Sequence, residues 1–388
     1  YIILLAAALS SGAQTPHWNN LAVCQENREA PHVRRFPYAS LDALRRLDYR
    51  TSPDYRCLDG RWDFFFVEDP NLAPSEALRH EHSPYVQLQT IEVPGNMELQ
   101  GYGTPVYVNV ANEFKSNPPY APERYNPVGL YMRDFEVEES WTDGSPVFLH
   151  IGAVKSCCYV YVNGRYVGYS EDSKTAAEFE ISKHLLPGKN RVAVQVFRFC
   201  SGSYLECQDM WRMSGITRSV SLYRVPKTYV KDYAVAASLE ESDWKTGVLS
   251  LRITTSLPIE KTMMLWARVL DKDGNIVAQA RKAITDTSTV FSNDDFGLGE
   301  VQPWSDKNPY LYTLAISILG SKGQEMELVG GKIGFRNIGI RNIGGYNLLC
   351  LNGTPVEIRG VNRHEHSGTT GHYVSPSEMR KDIELMQR

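Results

Sequence analysis

Along most of the chain, apolar residues recur in short runs separated by turn residues, the spacing of an all-β protein. Residues 61–67 are aromatic and extended, and residues 129–137 alternate through Leu130 and Met132 before Phe135 and Val137 shift the apolar face. Two β-rich runs across residues 159–169 meet at Asn163-Gly164. That dipeptide tolerates positive φ and predicts a type I′ hairpin turn. Residues 191–199 are apolar on both faces, as a central strand in a two-layer stack would be. Together these runs predict a jelly-roll or related sandwich ending near Tyr223. A linker at residues 226–230 leads to a second, shorter β set at residues 248–254, 263–270, 276–280 and 312–319, with a hairpin turn at Asp273-Gly274. Roughly a hundred residues with this spacing predict an immunoglobulin-like sandwich.

The pattern then changes. Val356-Glu357-Ile358-Arg359-Gly360-Val361 predicts a short strand after the Asn352-Gly353 turn, followed by a polar loop carrying Asn362, Arg363, His364, Glu365 and His366. Ser375 as N-cap, Pro376 at the first helical position and Glu378 closing a capping box predict a helix, with Met379, Ile383 and Met386 on its apolar face. One strand–loop–helix unit cannot bury a parallel strand, which needs neighbours and helices on both sides. The sequence is therefore expected to be a fragment whose missing part is an α/β domain. At the other end, residues 1–10 are apolar and Ser11-Gly12-Ala13 suits a signal peptidase, so a secretory signal is expected, too short for a stable membrane span. The expected divisions are a signal peptide (1–13), an N-terminal arm lying over other domains (14–56), a jelly-roll (57–226), an immunoglobulin-like sandwich (227–336) and the start of an α/β barrel (337–388).

Composition narrows the function. A net charge of −4 with no basic run leaves no electrostatic footprint for nucleic acid. The 22 tyrosines and 7 tryptophans suit sugar rings, but a β-rich core uses the same residues for packing. Seven cysteines without a CxxC pair argue against a structural zinc site or a disulfide scaffold. An oxidising compartment would permit a Cys200–Cys207 bridge. Cys157 and Cys158, adjacent in a strand, are expected to point to opposite faces.

Three segments carry candidate chemistry. In the loop after the 356–361 strand, His364 and His366 flank Glu365, but not at the i, i+4 spacing of a helical zinc motif. Loops at the C-terminal ends of barrel strands form the active-site face, so a substrate contact stands beside plain surface polarity. Residues 203–215 pack two carboxylates, an arginine and a tryptophan beyond a central strand. They read either as a binding loop or as a structural Asp209–Arg212 pair with a buried Trp211. Asn109 in Tyr107-Val108-Asn109-Val110 could bond sugar hydroxyls or serve a turn. No nucleophile elbow, phosphate loop or dinucleotide fingerprint is present, and no carboxylate pair for glycoside hydrolysis is nominated.

The runs Leu58-Asp59-Gly60-Arg61-Trp62, Asn163-Gly164-Arg165-Tyr166-Val167-Gly168-Tyr169, Asp209-Met210-Trp211-Arg212-Met213-Ser214-Gly215 and Arg359-Gly360-Val361-Asn362-Arg363-His364-Glu365-His366 resemble the large multidomain β-galactosidases of glycoside hydrolase family 2. The resemblance implies a mostly β fold: a jelly-roll sandwich, an immunoglobulin-like β-sandwich, then the first β/α unit of a truncated TIM barrel. It implies hydrolysis of terminal β-D-galactose residues, as in lactose, with retention. Both catalytic glutamates would then lie beyond Arg388, leaving this chain inactive alone. Asn109, Asp209 and His364 match residues lining the galactose subsite, and Asp209 also matches a sodium ligand. The family's active-site Mg2+ would be held by barrel residues absent here. Phe199-Cys200-Ser201 lacks the acidic residue that serves a second, peripheral magnesium in family members, which speaks against that outer metal. A homo-oligomer is also implied, and the N-terminal signal segment leads to an expected location in the periplasm or at the cell surface of a bacterium. The rivals are another family 2 glycosidase, a β-glucuronidase or β-mannosidase, and a non-catalytic carbohydrate-binding module.

Overall fold

A computed structural model describes residues 15–74, 78, 87–109, 111–206, 208–259 and 262–388. The expected signal peptide and Cys207, with its possible bridge to Cys200, lie outside the described residues. Among those residues, a seven-stranded antiparallel sheet runs β1 (Gln25–Glu26), β10 (Arg165–Glu171), β9 (Cys157–Val162), β12 (Gly188–Phe197), β6 (Val128–Val137), β3 (Gly60–Val67), β4 (Gln89–Val93). It packs on a four-stranded sheet ordered β11 (Ala177–Glu180), β7 (Val147–Ile151), β15 (Val220–Arg224), β2 (Tyr55–Cys57). Trp62, Phe64, Tyr131, Leu149, Phe179, Val194 and Leu222 fill the space between them.

The larger sheet is covered on its other face too, by Trp18, Leu130, Met132, Ala193 and Phe197 among others. This second layer explains why β12 is apolar on both sides. It also separates the adjacent cysteines: Cys158 joins the inter-sheet core and Cys157 the outer cluster. The turn between β9 and β10 has positive φ at Asn163 (51°) and Gly164 (73°), as the dipeptide predicted.

The second sandwich sets β16 (Val230–Leu239), β17 (Gly247–Thr255) and β20 (Ser288–Phe291) against β19 (Ile276–Ala283), β18 (Met264–Leu270), β21 (Tyr312–Leu319) and β22 (Glu325–Ile333). Its core holds Leu251, Ile253, Leu265, Leu314, Ile316 and Phe335. Two short helices, α1 (Leu41–Arg46) and α2 (Asn293–Phe296), lie at its periphery.

The N-terminal arm straps the two sandwiches together. Beyond adding β1 to the large sheet, it buries the Arg35 guanidinium 4.4 Å from the Phe148 ring, with Nε donating to Tyr223 Oη at 2.9 Å. Glu178 is the hub of this junction. It meets His32 at 2.8 Å and His150 at 2.7 Å, and accepts from Tyr223 at 2.6 Å. Burial works against the Glu178 charge, but the bonds from His150 and His32 outweigh it and hold the carboxyl well below its ordinary range. Burial likewise opposes charge on His32, yet its bond to Glu178 raises its pKa.

The C-terminal part differs from expectation in one element. The capped helix forms as α3 (Pro376–Gln387), with Ser375 Oγ accepting from Glu378 N and Glu378 Oε2 accepting from Ser375 N. Ahead of it stand three antiparallel strands, β23 (Ile338–Ile343), β24 (Tyr346–Leu351) and β25 (Thr354–Pro355). The strand expected at residues 356–361 is not formed, and Ile358 and Val361 stand 85% and 69% exposed. A β-branched run has no intrinsic reason to be a strand without a ladder for its backbone groups, and here, among the described residues, only Val356 N is bonded, to the Leu349 carbonyl at 2.9 Å, before the chain leaves β24.

Candidate functional site

The remaining short strands build the candidate site. β5 (Val106–Val108) pairs antiparallel with β13 (Met210–Arg212), with Trp211 opposite Tyr107 and Met210 opposite Val108. Asn109 and Asp209 each lie one residue past the paired ends of the ribbon, at bends in the chain, and both are exposed. Two segments about a hundred residues apart in sequence thus pair next to the two polar positions that the sequence nominated. Tyr107 Oη donates to Asp209 Oδ1 at 2.5 Å, a bond that raises the phenol's pKa because it favours the protonated form. The Tyr107 and Trp211 rings meet edge to face, 5.7 Å between centroids.

The alternative of an Asp209–Arg212 pair over a buried Trp211 is not what forms. Side chains alternate along a strand, so Asp209 and Trp211 share one face and Arg212 takes the other. Arg212 is buried and donates to the carbonyls of Glu206 (3.1 Å) and Val108 (3.4 Å), while Trp211 is 42% exposed.

A buried charge cluster secures the ribbon from beneath. Arg198, at the end of β12, lies 3.2 Å from Glu98, donates to Glu113 through Nε at 3.1 Å, and donates to the Thr104 carbonyl at 3.0 Å. Glu98 in turn accepts from Ser214 N (2.9 Å) and Oγ (2.6 Å) just past β13. Burial raises the Glu98 pKa, against the opposing pull of Arg198 and Ser214. Burial also lowers the Lys155 pKa beside this cluster. The cavity among Glu113, Lys155, Arg198, Glu206 and Arg212 has a volume of about 10 Å³, the size of one water and far too small for a sugar.

The histidine loop is tied to the jelly-roll through Glu365. Arg218 donates to Glu365 at 2.9 Å, with Lys174 at 3.6 Å from the same carboxylate. His372 N donates to Asn96 Oδ1 at 2.8 Å, and its ring Nε2 lies 3.0 Å from the Trp211 carbonyl. Burial, aided by the charges of Lys155 and Lys174, pushes the His372 pKa down to about 3. The ring is therefore neutral near pH 7 and donates its Nε2–H to β13. His364 itself is exposed, and its carbonyl accepts from Arg363. So the structure places Asn109 and Asp209 at the end of one ribbon, whereas the His364 loop is held through Glu365 to Arg218 and Lys174, and His372, further along, is the residue that meets the ribbon.

Tyr107, Glu98, Arg198 and His372 were not singled out from sequence. Tyr107 had a usable signal, since it stands two residues before Asn109 in a strand. The others act through tertiary contacts alone. Among the described residues, no group of three or more His, Cys, Asp or Glu side chains could hold a metal ion.

Comparison with known proteins places this geometry. Residues 55–226 match the sugar binding domain of glycosyl hydrolases family 2, residues 228–336 match a second family 2 domain, and residues 343–388 match the family's TIM barrel domain. The chain belongs to glycoside hydrolase family 2. It is 36% identical over 386 residues to a β-galactosidase of Priestia megaterium, covering 96% of this chain and 36% of that protein. A β-galactosidase of Enterobacter cloacae is likewise 36% identical, over 378 residues, again covering 96% of this chain and 36% of the relative. The family 2 chain thus spans about a third of the length of these curated relatives. In fold it is similar to a Bifidobacterium dentium β-glucuronidase complexed with coumarin-3-O-glucuronide, with a TM-score of 0.67 at 20% identity, over 87% of this chain and 57% of that one. A Ruminococcus gnavus β-glucuronidase in complex with D-glucuronic acid gives 0.67 at 20% identity, over 86% and 54%.

Proposed function

We propose that this chain supplies the sugar-binding face of a β-galactosidase, an enzyme that hydrolyses terminal non-reducing β-D-galactose residues, lactose among them, with retention. The observation that carries the reading is the ribbon that ends at the exposed Asn109 and Asp209, supported by 36% identity to β-galactosidases along nearly the whole chain. Galactose presents hydroxyls that need directional partners. Asp209 commits one carboxylate oxygen to Tyr107, and the other can accept from a hydroxyl or ligate a hard cation such as sodium. Asn109 offers both donor and acceptor. His364 completes the set by donating to a hydroxyl, a contact that strengthens as oxocarbenium character develops.

Retaining hydrolysis needs two carboxyl groups about 5 Å apart. In this proposal both glutamates, and the residues that hold Mg2+, belong to barrel sequence beyond Arg388. The chain by itself is then inactive. Export by the apolar leader to the periplasm or cell surface, and assembly as a homo-oligomer, are parts of the same proposal.

The test is turnover of chromogenic β-galactoside, β-glucuronide and β-mannoside by the complete gene product, beside the 388-residue chain. Galactoside hydrolysis by the former and none by the latter is expected. Asp209→Asn should lower kcat/KM about ten- to a hundredfold, the worth of a hydrogen bond to a charged group. Preference for the glucuronide would overturn the galactosidase assignment, and turnover by the 388-residue chain would overturn its inactivity.

A further inference from the structure

The outer face of the seven-stranded sheet holds two cysteines that the candidate site does not use. Cys157 opens β9, where it stands opposite Glu171 of β10 and Phe197 of β12. Residues directly opposite in a sheet point to the same face, so Cys157 and Glu171 are side-chain neighbours. Cys200 lies three residues beyond β12 and belongs to the same outer cluster as Cys157 and Tyr169. The two thiols are hydrogen-bonded to each other, and both are buried, at 0% and 1% exposure. Cys158 faces the inter-sheet core instead, away from both.

The backbones that carry the two thiols are stitched together. Ser156 N donates to the Phe197 carbonyl at 2.9 Å, and Ser156 Oγ donates to the Arg198 carbonyl at 2.7 Å. Cys200 N donates to Ser203 Oγ at 3.0 Å, and that hydroxyl donates to Ser156 Oγ at 3.2 Å. A disulfide forms without strain only where the backbone already holds two cysteines close and facing each other. Sulfurs in contact have only to close to the bond length of about 2 Å, within reach of χ1 rotation. Glu171 keeps its bonds from Tyr169 (2.7 Å) and Ser201 (3.4 Å) whether or not the thiols are oxidised. In the folded chain the mutual bond, with burial, pushes the Cys200 thiol up, and burial pushes the Cys157 thiol up. Protonated, buried thiols react slowly, so the time for oxidation is during folding, before the outer cluster closes.

We propose that Cys157 and Cys200 form a disulfide when the chain folds in an oxidising compartment, and that this bond staples the turn leading into the candidate site onto the central sheet. One thiolate attacks a small-molecule disulfide such as oxidised glutathione and releases one glutathione thiol; the second attacks the mixed disulfide and releases the other. The cysteines lose two protons and two electrons, and the oxidant takes them up. Just past Cys200, the turn Ser201–Leu205 runs into Glu206, whose carbonyl accepts from the buried Arg212 of β13. The staple thus reaches the base of the ribbon through a single turn of chain, and it is independent of which sugar the ribbon binds.

The test is refolding of the chain from urea in a glutathione redox buffer, then thiol alkylation and proteolysis. Of the seven cysteines, two should escape alkylation. Peptide 156–165 should be linked to the peptide carrying Cys200 and, after cleavage at Glu206, not to Cys207. Cys157→Ala and Cys200→Ala should each abolish the link, while Cys158→Ala and Cys207→Ala leave it. The linked peptide is read on the wild type, so it stands whether or not every variant folds. The oxidised chain should melt about 5–10 °C above the chain refolded with reductant, as expected of a bridge closing about forty residues, and Cys157→Ala should erase the difference. Seven alkylated cysteines, or a bond from Cys200 to Cys207, would overturn the disulfide. A Cys157–Cys200 bond that leaves the melting temperature unchanged would overturn its role as a staple.

Discussion

Residues 192–197 and residues 356–361 are both short runs led by β-branched residues, yet they end in opposite states. In the first, Val192, Val194 and Val196 are fully buried between β9 and β6, with Ala193 and Phe197 covered by a second layer. In the second, Ile358 and Val361 face solvent and no ladder forms. The difference lies in the neighbours. β12 pairs antiparallel with β9 and β6, both earlier in the chain and neither joined to it by a hairpin, whereas a parallel strand needs a crossover partner in the same sheet.

Substitutions can break or sharpen this comparison. The largest effect is expected in the jelly-roll core. Trp62 is fully buried with its indole N–H bonded to the Leu58 carbonyl at 2.8 Å, so Trp62→Ala should cost about 3–5 kcal/mol in urea unfolding.

Next comes the Glu178 junction, where Glu178→Gln should cost about 3 kcal/mol by stranding the groups around it. Its pH signature is specific. The lowered Glu178 pKa contributes stability above the carboxyl's ordinary value of 4.5, lost as pH falls through the folded value. The raised His32 pKa contributes stability below the ordinary 6.5, lost as pH rises through the folded value. The melting temperature of the wild type should therefore peak between pH 4.5 and 6.5 as far as this junction decides it, and both slopes should flatten in Glu178→Gln. Equal slopes in the two proteins would remove the junction as the cause.

A smaller, local effect is expected at the other end of the chain. Ser375→Ala removes the N-cap of α3 and should cost about 1 kcal/mol, read as faster amide exchange in residues 377–380 with the global transition unchanged. Smallest of all, Ile358→Ser should change stability by less than about 0.5 kcal/mol. A loss comparable to that at Trp62 would mean that residues 356–361 are packed in solution after all.

The candidate site was legible to a similar, uneven degree. Asn109 and Asp209 could be nominated by their chemistry and by resemblance, since polar residues in chemically mixed segments at strand ends stand out locally. Their place at the end of one ribbon could not, because it depends on pairing β5 with β13 across about a hundred residues. Arg212 shows the limit most sharply. Beside Asp209 in sequence it suggests an ion pair, but strand alternation turns it to the opposite face, where it binds carbonyls. Arg198 and Glu98 are single charged residues within apolar or mixed segments, and nothing local marks them as the buried pair under the ribbon.

By itself the sequence determined the local elements whose causes are local: the Asn163-Gly164 turn, the Ser375–Glu378 capping box and the two-sided apolar character of β12. Each rests on the conformational preference or polarity of neighbouring residues. Tertiary structure alone decided which strands pair, which faces carry Tyr107, Asp209 and Trp211, and whether residues 356–361 form a strand at all. Those outcomes depend on satisfying backbone groups and burying side chains against distant segments, energies that no local stretch of sequence contains.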